Sequence, residues 1–157
     1  EQTYELQKRK LGPNHPHTLA TLSNLAIANS RNGEEGRALA FFGQVYERRK
    51  DDPGPDHPDT LLSMNNLAEC YVAHGQYDAA MPLLEEAVKR AKSKLGANHL
   101  STLTYMSNLA GCYSQAGWHD RALALEEQVA EGTNARLGPA HPSTHTAWNN
   151  LAVSYWK

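Results

Sequence analysis

One short motif recurs along this chain at a fixed interval of 42 residues. It reads Leu-Gly-Pro-x-His-Pro from Leu11 and again from Leu137, and looser copies begin at Pro53 and Leu95. The histidines of the four copies are His15, His57, His99 and His141. A fixed period without insertions indicates an array in which one structural unit is repeated. Each unit of such an array buries its apolar face on its neighbours, so the core is a strip and not a ball.

A helix, which we call helix A, is predicted directly after each copy of the motif. Proline stands where three of these helices begin, as at Pro58, and it is tolerated there because a first-turn N–H has no partner within the helix. Apolar residues follow at helical spacing, and in the second copy they are Met64, Leu67, Ala68 and Tyr71. A glycine closes the helix, as at Gly75.

A second helix, helix B, is predicted after the glycine turn of each period. Its apolar positions in the first copy are Ala38, Leu39, Phe42, Val45 and Tyr46. The next connector ends helix B, because its glycine stops a helix and its proline keeps the helix from resuming. Two antiparallel helices and a tight turn in each 42-residue period describe an α-solenoid.

Several residues depart from the helix B pattern. Glu126 takes the place that Phe42 holds in the first copy and Leu84 in the second. Gly132 interrupts the third helix B, and a glycine in a helix interior costs about 1 kcal/mol relative to alanine, so we expect that helix to fray near this residue. Pro82 lies inside the second helix B and predicts a bend or a late start there.

A family resemblance rests on the residues that recur in helix A and on the connector. The pattern Asn66-Leu67-Ala68, then Tyr71, Gly75 and Ala80, resembles a tetratricopeptide repeat. The 42-residue period and the connector Gly-Pro-x-His-Pro-x-Thr resemble the subtype found in kinesin light chains, and the same subtype is similar to arrays attached to nucleotide-binding receptors and bacterial regulators. The resemblance covers essentially the whole chain. It implies an all-α, right-handed solenoid of antiparallel helix pairs that acts as a non-catalytic scaffold for proteins or peptides.

The same register predicts how the chain is divided. We expect a single array fragment over residues 1–157, in which residues 1–10 are the end of a preceding helix B. The predicted repeats are 13–52, 55–94 and 97–136, and helix A of a fourth repeat covers 139–157.

Charge and hydropathy exclude several classes of partner. The formal net charge is −2 and the isoelectric point is about 6.5, which gives no electrostatic reason to expect a nucleic acid or an anionic membrane. A helical-repeat RNA binder is disfavoured for the same reason. No apolar run reaches the roughly 18 to 20 residues that span a bilayer, and no signal-peptide pattern opens the chain. We therefore expect a cytoplasmic protein.

The recurring histidines and the two cysteines are predicted to be structural. Equivalent atoms of successive units lie at least roughly 8–10 Å apart, whereas zinc ligands lie about 2 Å from one ion, so the connector histidines cannot share a metal. We expect their ring nitrogens to hold the turn by hydrogen bonds. Cys70 and Cys112 lie one period apart within helix A and are expected to be buried, inert thiols. No catalytic motif occurs, so we predict neither an enzyme nor a cofactor.

The resemblance also implies where a ligand would bind. In similar arrays one face of successive A helices lines a concave groove that holds an extended peptide. Transferred to this chain, the candidate groove residues are Ser23, Asn24, Asn65, Asn66, Glu69, Ser107, Asn108, Asn149 and Asn150. A carboxamide both donates and accepts, so a ladder of asparagines can pair with the backbone of a peptide. The same ladder can instead bond neighbouring helices and hold the array in register, and both roles stay open.

The groove residues predict the kind of ligand. The lysine-plus-asparagine clamp with which some tetratricopeptide domains hold a C-terminal carboxylate is absent, and Glu69 would repel a carboxylate. Only Arg31 could supply a basic groove residue from helix A, whereas kinesin light chains use several for acidic cargo motifs. We therefore predict a neutral, partly apolar peptide or protein surface. The alternative is a structural spacer, or a module that self-associates through its open ends, within a larger signalling protein.

Overall fold

Eight α-helices and no strand make up the part of the chain that the computed structural model describes, residues 1–156. They are α1 (Gln2–Leu11), α2 (Pro16–Arg31), α3 (Glu35–Asp51), α4 (Pro58–Ala73), α5 (Tyr77–Leu95), α6 (Leu100–Gln115), α7 (His119–Leu137) and α8 (Pro142–Tyr155). Helices α2, α4, α6 and α8 are the predicted A helices, and the odd-numbered ones are the B helices. The prediction of an all-α chain of alternating A and B helices is confirmed.

The chain divides into two compact units. Unit 1 runs from Glu1 to Gly75 and holds α1 to α4, and unit 2 begins at Gln76 and holds α5 to α8. The boundary falls in the turn between helices A and B of the second predicted repeat. The helix pairs of the first and third repeats therefore each lie whole within one unit.

Each unit buries one apolar stripe per helix. In unit 1, Leu22 and Ala26 of α2, Val45 of α3, and Leu61 and Ala68 of α4 have no exposed surface. The fully buried core residues of unit 2 are Ala80, Leu84, Ala87 and Ala91 of α5, Ala110 and Cys112 of α6, and Ala130 of α7. Alanine at the same position of α2, α4 and α6 leaves room for close packing of the neighbouring helix, and helices adjacent in sequence pack on each other within each unit.

The connector histidines cap the A helices. The backbone N–H of Asp59 donates to Nδ1 of His57 at 3.2 Å, and the same bond to the residue two positions on is made by His15, His99 and His141. An N-cap side chain normally accepts from the second or third helical N–H, a role usually held by Ser, Thr, Asp or Asn. The prediction that these histidines hold the turn through ring-nitrogen bonds is confirmed.

Glycines end the helices where the backbone requires a positive φ. Gly33, Gly75 and Gly117 follow three of the A helices with φ of 77°, 71° and 85°. This left-handed region is open to glycine because it has no Cβ. The predicted tight turn between helices A and B is therefore present in each complete pair.

The prediction that α7 frays at Gly132 is wrong. The helix is continuous from His119 to Leu137, and Gly132 is buried within it. A Cβ at this position would lie 2.7 Å from Cδ2 of Leu103 and 3.1 Å from Oδ1 of Asn98, so the glycine allows α7 to approach the start of α6. Packing between the two helices outweighs the weak helix propensity of one residue.

Pro82 does not delay the start of its helix. Helix α5 begins at Tyr77, five residues before the proline, and runs on to Leu95. The late start that the sequence suggested is therefore wrong, and the bend stays a prediction.

Candidate peptide-binding groove

The largest cavity of unit 2 among those described lies between the A helices α6 and α8 and has a volume of about 460 Å³. Leu103 and Val129, which are 4% and 6% exposed, line its buried part. Ser107 and Asn108 line it from α6, and Asn150 lines it from α8. We call it the leucine cavity. The rest of its lining is Leu100, Thr104, Thr133, Leu137, His141, Ser143, Thr146 and Ala147.

A second cavity lies next to the leucine cavity along the same two helices. It has a volume of about 280 Å³ and shares Ser107 and Asn150 with the leucine cavity. Glu126 of α7 also lines it, and we call it the Glu126 cavity. Its remaining lining residues are Gly111, Ser114, Gln115, Val153 and Ser154. The two cavities and the residues they share form one groove between α6 and α8.

Unit 1 contains the counterpart of the Glu126 cavity. It has a volume of about 380 Å³ and lies between α2 and α4, and it is lined by Ile27, Ser30, Arg31, Phe42, Asn66, Glu69, Cys70 and Ala73. We call it the Phe42 cavity. Phe42 stands two 42-residue periods before Glu126, and Asn66 stands two periods before Asn150. The same repeat positions thus form a cavity in both units, and the residue from helix B differs.

Five of the predicted groove residues lie at these cavities. Ser107, Asn108 and Asn150 meet at the leucine cavity, and Asn66 and Glu69 line the Phe42 cavity. The structure therefore brings the candidates of each unit together at one place per unit.

Four other candidates lie elsewhere. Asn24 and Asn149 are exposed. Ser23 is half-buried and donates its hydroxyl to the carbonyl oxygen of Leu19 at 3.0 Å, a bond within its own helix. Asn65 is only 3% exposed, so its predicted place on an open face is wrong. A helical wheel orders the faces of an isolated helix, but it does not show how far neighbouring helices cover each face.

Glu126 is the functional candidate that the sequence did not identify as a site. Its side chain is half-buried, and its Oε2 atom is shielded from solvent and has no hydrogen-bond partner within residues 1–156. The sequence does show a carboxylate in place of Phe42 and Leu84, which is a signal of altered packing. That it faces a cavity depends on the neighbouring A helices, and no periodicity reveals it.

Tyrosine–glutamate pairs hold the A helices of unit 2 on the preceding B helices. The hydroxyl of Tyr113 donates to Oε1 of Glu85 at 2.5 Å, and that of Tyr155 donates to Oε1 of Glu127 at 2.6 Å. Burial, together with the nearby Glu85 carboxylate, raises the pKa of Tyr113 above its ordinary value. The two bonds link α6 to α5 and α8 to α7, and α6 and α8 form the walls of the groove.

Both cysteines are buried thiols, as predicted. Cys70 is 4% exposed and Cys112 has no exposed surface. Burial is the main cause that raises the pKa of both thiols, which disfavours the reactive thiolate. Within residues 1–156 no group of three or more His, Cys, Asp or Glu side chains is arranged to hold a metal ion. In that same part of the chain no helix combines the length and the apolar character needed to cross a bilayer.

The repeat pattern matches that of a known protein family. A sequence model of the tetratricopeptide repeat matches residues 1–51, 38–93 and 82–135. The chain belongs to the tetratricopeptide repeat family. Such repeats generally act as non-catalytic scaffolds for protein interactions. Among proteins with curated functions, no sequence matches this chain.

Solved tetratricopeptide structures support the same assignment. Nearly identical TPR-like repeats from a proposed kinesin light chain of Podosopora anserina are 32% identical, with a TM-score of 0.83 over 90% of this chain and 67% of that one. A variant of the same repeats gives 0.85 over 99% and 73%, again at 32% identity. BtubC (BKLC) from P. vanneervenii, at 21% identity, covers 99% of this chain and 62% of its own with a TM-score of 0.83, which supports the fold alone. The predicted kinesin-light-chain type is confirmed.

Proposed function

We propose that this tetratricopeptide chain is a non-catalytic scaffold that binds an extended, partly apolar peptide segment of another protein in the groove between α6 and α8. The observation that carries the proposal is the leucine cavity. Its volume of about 460 Å³ lies within the roughly 300–1,000 Å³ of typical ligand sites, which combine apolar walls with a few polar groups. Buried leucine and valine side chains can take an apolar anchor of the peptide.

The amides beside the cavity suit the backbone of such a peptide. Asn108 and Asn150 lie on the two opposite walls. Asn150 is exposed, and a carboxamide has two N–H donors and one carbonyl acceptor. An extended peptide presents unpaired N–H and C=O groups along its length. Amides on both walls therefore support the recognition of a backbone whatever its side chains are.

The charges of the groove argue against an acidic ligand. Glu126 lines the groove between α6 and α8, and Glu69 lines the Phe42 cavity of unit 1, where Arg31 is the one basic side chain among the described lining residues. A carboxylate-rich peptide would meet these acidic groups without a set of basic partners. The proposed ligand is therefore not an acidic tail.

The cytoplasmic location of the protein stays a prediction.

The proposal is tested by selecting binders from a random peptide library and measuring their dissociation constants by fluorescence polarisation. Thr104 is exposed and lines the leucine cavity, so Thr104→Trp should fill the cavity and weaken binding about tenfold or more, as expected when an apolar anchor is lost. Ala124→Trp places the same side chain at an exposed position of α7 and should leave the affinity unchanged. Circular dichroism should show equal helicity for both variants.

Two results would overturn the proposal. A library that returns mainly acidic C-terminal motifs would contradict the predicted ligand class. Equal affinities for the Thr104→Trp and Ala124→Trp variants would show that peptides bind elsewhere on the chain. Sedimentation at several concentrations, run beside the binding assay, measures self-association separately, because assembly without peptide binding would favour the spacer role instead.

A further inference from the structure

We propose that the Glu126 cavity binds a lysine or arginine side chain of the peptide, next to the apolar anchor in the leucine cavity. This inference rests on the proposed function and specifies its ligand. Unit 2 would then recognise an apolar residue and a basic residue of one extended segment.

The Glu126 carboxylate has one oxygen without a partner in the described part of the free chain. Its Oε2 atom is buried and has no hydrogen-bond partner within residues 1–156. Buried polar atoms in folded proteins are nearly always paired, and an unpaired one calls for an explanation. Because Oε2 is shielded from solvent in the free chain, the carboxylate must turn about its terminal torsion, which is a soft one, to meet a cationic N–H donor in the cavity. That donor would then supply the missing partner in a charge-assisted bond, which is stronger than a neutral one.

The remaining lining of the Glu126 cavity suits a cationic side chain. Among the described residues of the cavity, Glu126 is the one ionisable side chain, and no described cation neutralises it. Ser107 and Ser114 carry hydroxyl oxygens and Gln115 a carbonyl oxygen, all of which can accept from an ammonium or guanidinium group. Gly111 adds no side chain to the wall. The cavity of about 280 Å³ is smaller than a typical drug-sized site and suits a single side chain.

The Glu126 cavity lies beside the leucine cavity. The Glu126 cavity and the leucine cavity share Ser107 and Asn150, so they follow one another along the groove. In an extended peptide, residues i and i+2 point to the same side about 7 Å apart. One peptide can therefore place an apolar side chain in one cavity and a basic side chain in the next.

The Phe42 cavity of unit 1 is the internal comparison. Phe42 is 5% exposed and stands at the repeat position of Glu126, so no carboxylate comes from helix B there. The charges of that cavity come from the A helices instead, as Arg31 and Glu69. Selectivity for a basic side chain is thus expected only where helix B contributes Glu126.

The test uses a set of fluorescein-labelled peptides, each with a leucine at the same fixed position. At every other position, one position per peptide, lysine, norleucine and glutamate are compared. Dissociation constants are measured by fluorescence polarisation. The wild-type chain should prefer lysine to norleucine by about tenfold or more at one position, as a charge-assisted hydrogen bond predicts. Glu126→Gln should reduce that preference to about twofold or less without weakening the norleucine peptide. Glu126→Lys should reverse it in favour of glutamate.

A matched control separates the site from the overall charge. Glu131 is an exposed residue of the same helix that lines a different cavity, so Glu131→Gln removes one equal charge and should keep the lysine preference.

The outcomes distinguish this inference from the proposed function. If leucine peptides bind but lysine gives no advantage, or if the advantage survives Glu126→Gln, the basic-residue site is overturned and the peptide scaffold stands. If no peptide binds, or if the Thr104→Trp variant binds peptides as tightly as the wild-type chain, both the basic-residue site and the proposed groove are overturned.

Discussion

The two units build the same cavity from the same repeat positions and give it different chemistry. In unit 1 the residue from helix B is Phe42, which is buried, whereas in unit 2 it is Glu126, whose Oε2 atom lacks a partner within residues 1–156. The second A helix of each unit supplies asparagine at the matching place of both cavities, as Asn66 and Asn150. The two cavities therefore share one scaffold, and the ligand preference that we propose for unit 2 depends on one residue of helix B, Glu126.

A second difference concerns the leucine cavity. Its lining includes Thr133 and Ser143, whose equivalents two periods earlier are Arg49 and Asp59. In unit 1 the Nη1 atom of Arg49 donates to the carbonyl oxygen of Asp59 at 3.1 Å. The Arg49 side chain therefore bridges two positions whose equivalents in unit 2 line an open cavity. Short polar residues at these positions leave the space that we assign to the apolar anchor.

The largest effect is expected when position 42 of unit 1 receives the glutamate that unit 2 has at position 126. Phe42→Glu should lower the free energy of unfolding by about 3–5 kcal/mol, because it removes a buried ring and places a carboxylate at a buried position of a cavity that already holds Glu69. Chemical denaturation followed by circular dichroism measures the change. A loss below 1 kcal/mol would mean that the Phe42 site accepts a carboxylate as the Glu126 site does, and the difference between the units would disappear.

The close contact at Gly132 is specific to unit 2, because Arg48 stands at that repeat position in unit 1. Gly132→Val should lower the free energy of unfolding by about 1–3 kcal/mol, since its side chain would overlap Leu103. It should also weaken peptide binding by pushing Leu103 into the leucine cavity. Tryptophan fluorescence during denaturation follows the unfolding of unit 2, because all three tryptophans lie in that unit, as Trp118, Trp148 and Trp156. Gly43→Ala is the control, because nothing lies within 4 Å of its added Cβ, and it should stabilise α3.

The converse change replaces Glu126 by leucine, the residue that the second repeat has at this position as Leu84. Glu126→Leu should raise the free energy of unfolding by about 1 kcal/mol, because it removes a buried oxygen that lacks a hydrogen bond in the free chain. The same variant should lose the lysine preference. Destabilisation in thermal and chemical denaturation would instead show that Glu126 is satisfied within the fold.

The smallest expected difference is in thiol reactivity. Burial raises the pKa of both cysteines, so both should react slowly with iodoacetamide at pH 8. Cys70 lines the Phe42 cavity and is 4% exposed, whereas Cys112 has no exposed surface. Mass spectrometry of the native protein should therefore show Cys70 modified before Cys112, and both modified quickly in denaturant. The reverse order would contradict the position of the Phe42 cavity.

The sequence was sufficient for the features that depend on residues close together in the chain. The 42-residue period, the proline at the start of helix A and the glycine after it specify the helix pairs by local backbone preferences. The connector histidines were predicted to bond the turn, and each does so to an N–H two residues away. Such interactions are short in sequence and repeat in each copy, so periodicity alone reveals them.

Which side chains line a cavity depends on the tertiary structure. Asn65 and Asn66 are neighbours in sequence and in composition, yet the first is 3% exposed and the second lines the Phe42 cavity. Gly132 looked like a weak point of α7 and is instead the point where α6 comes close. Glu126 looked like a packing defect and instead faces a cavity. In each case the outcome depends on where a neighbouring helix places its side chains, and that distance is not encoded in the spacing of residues along one helix.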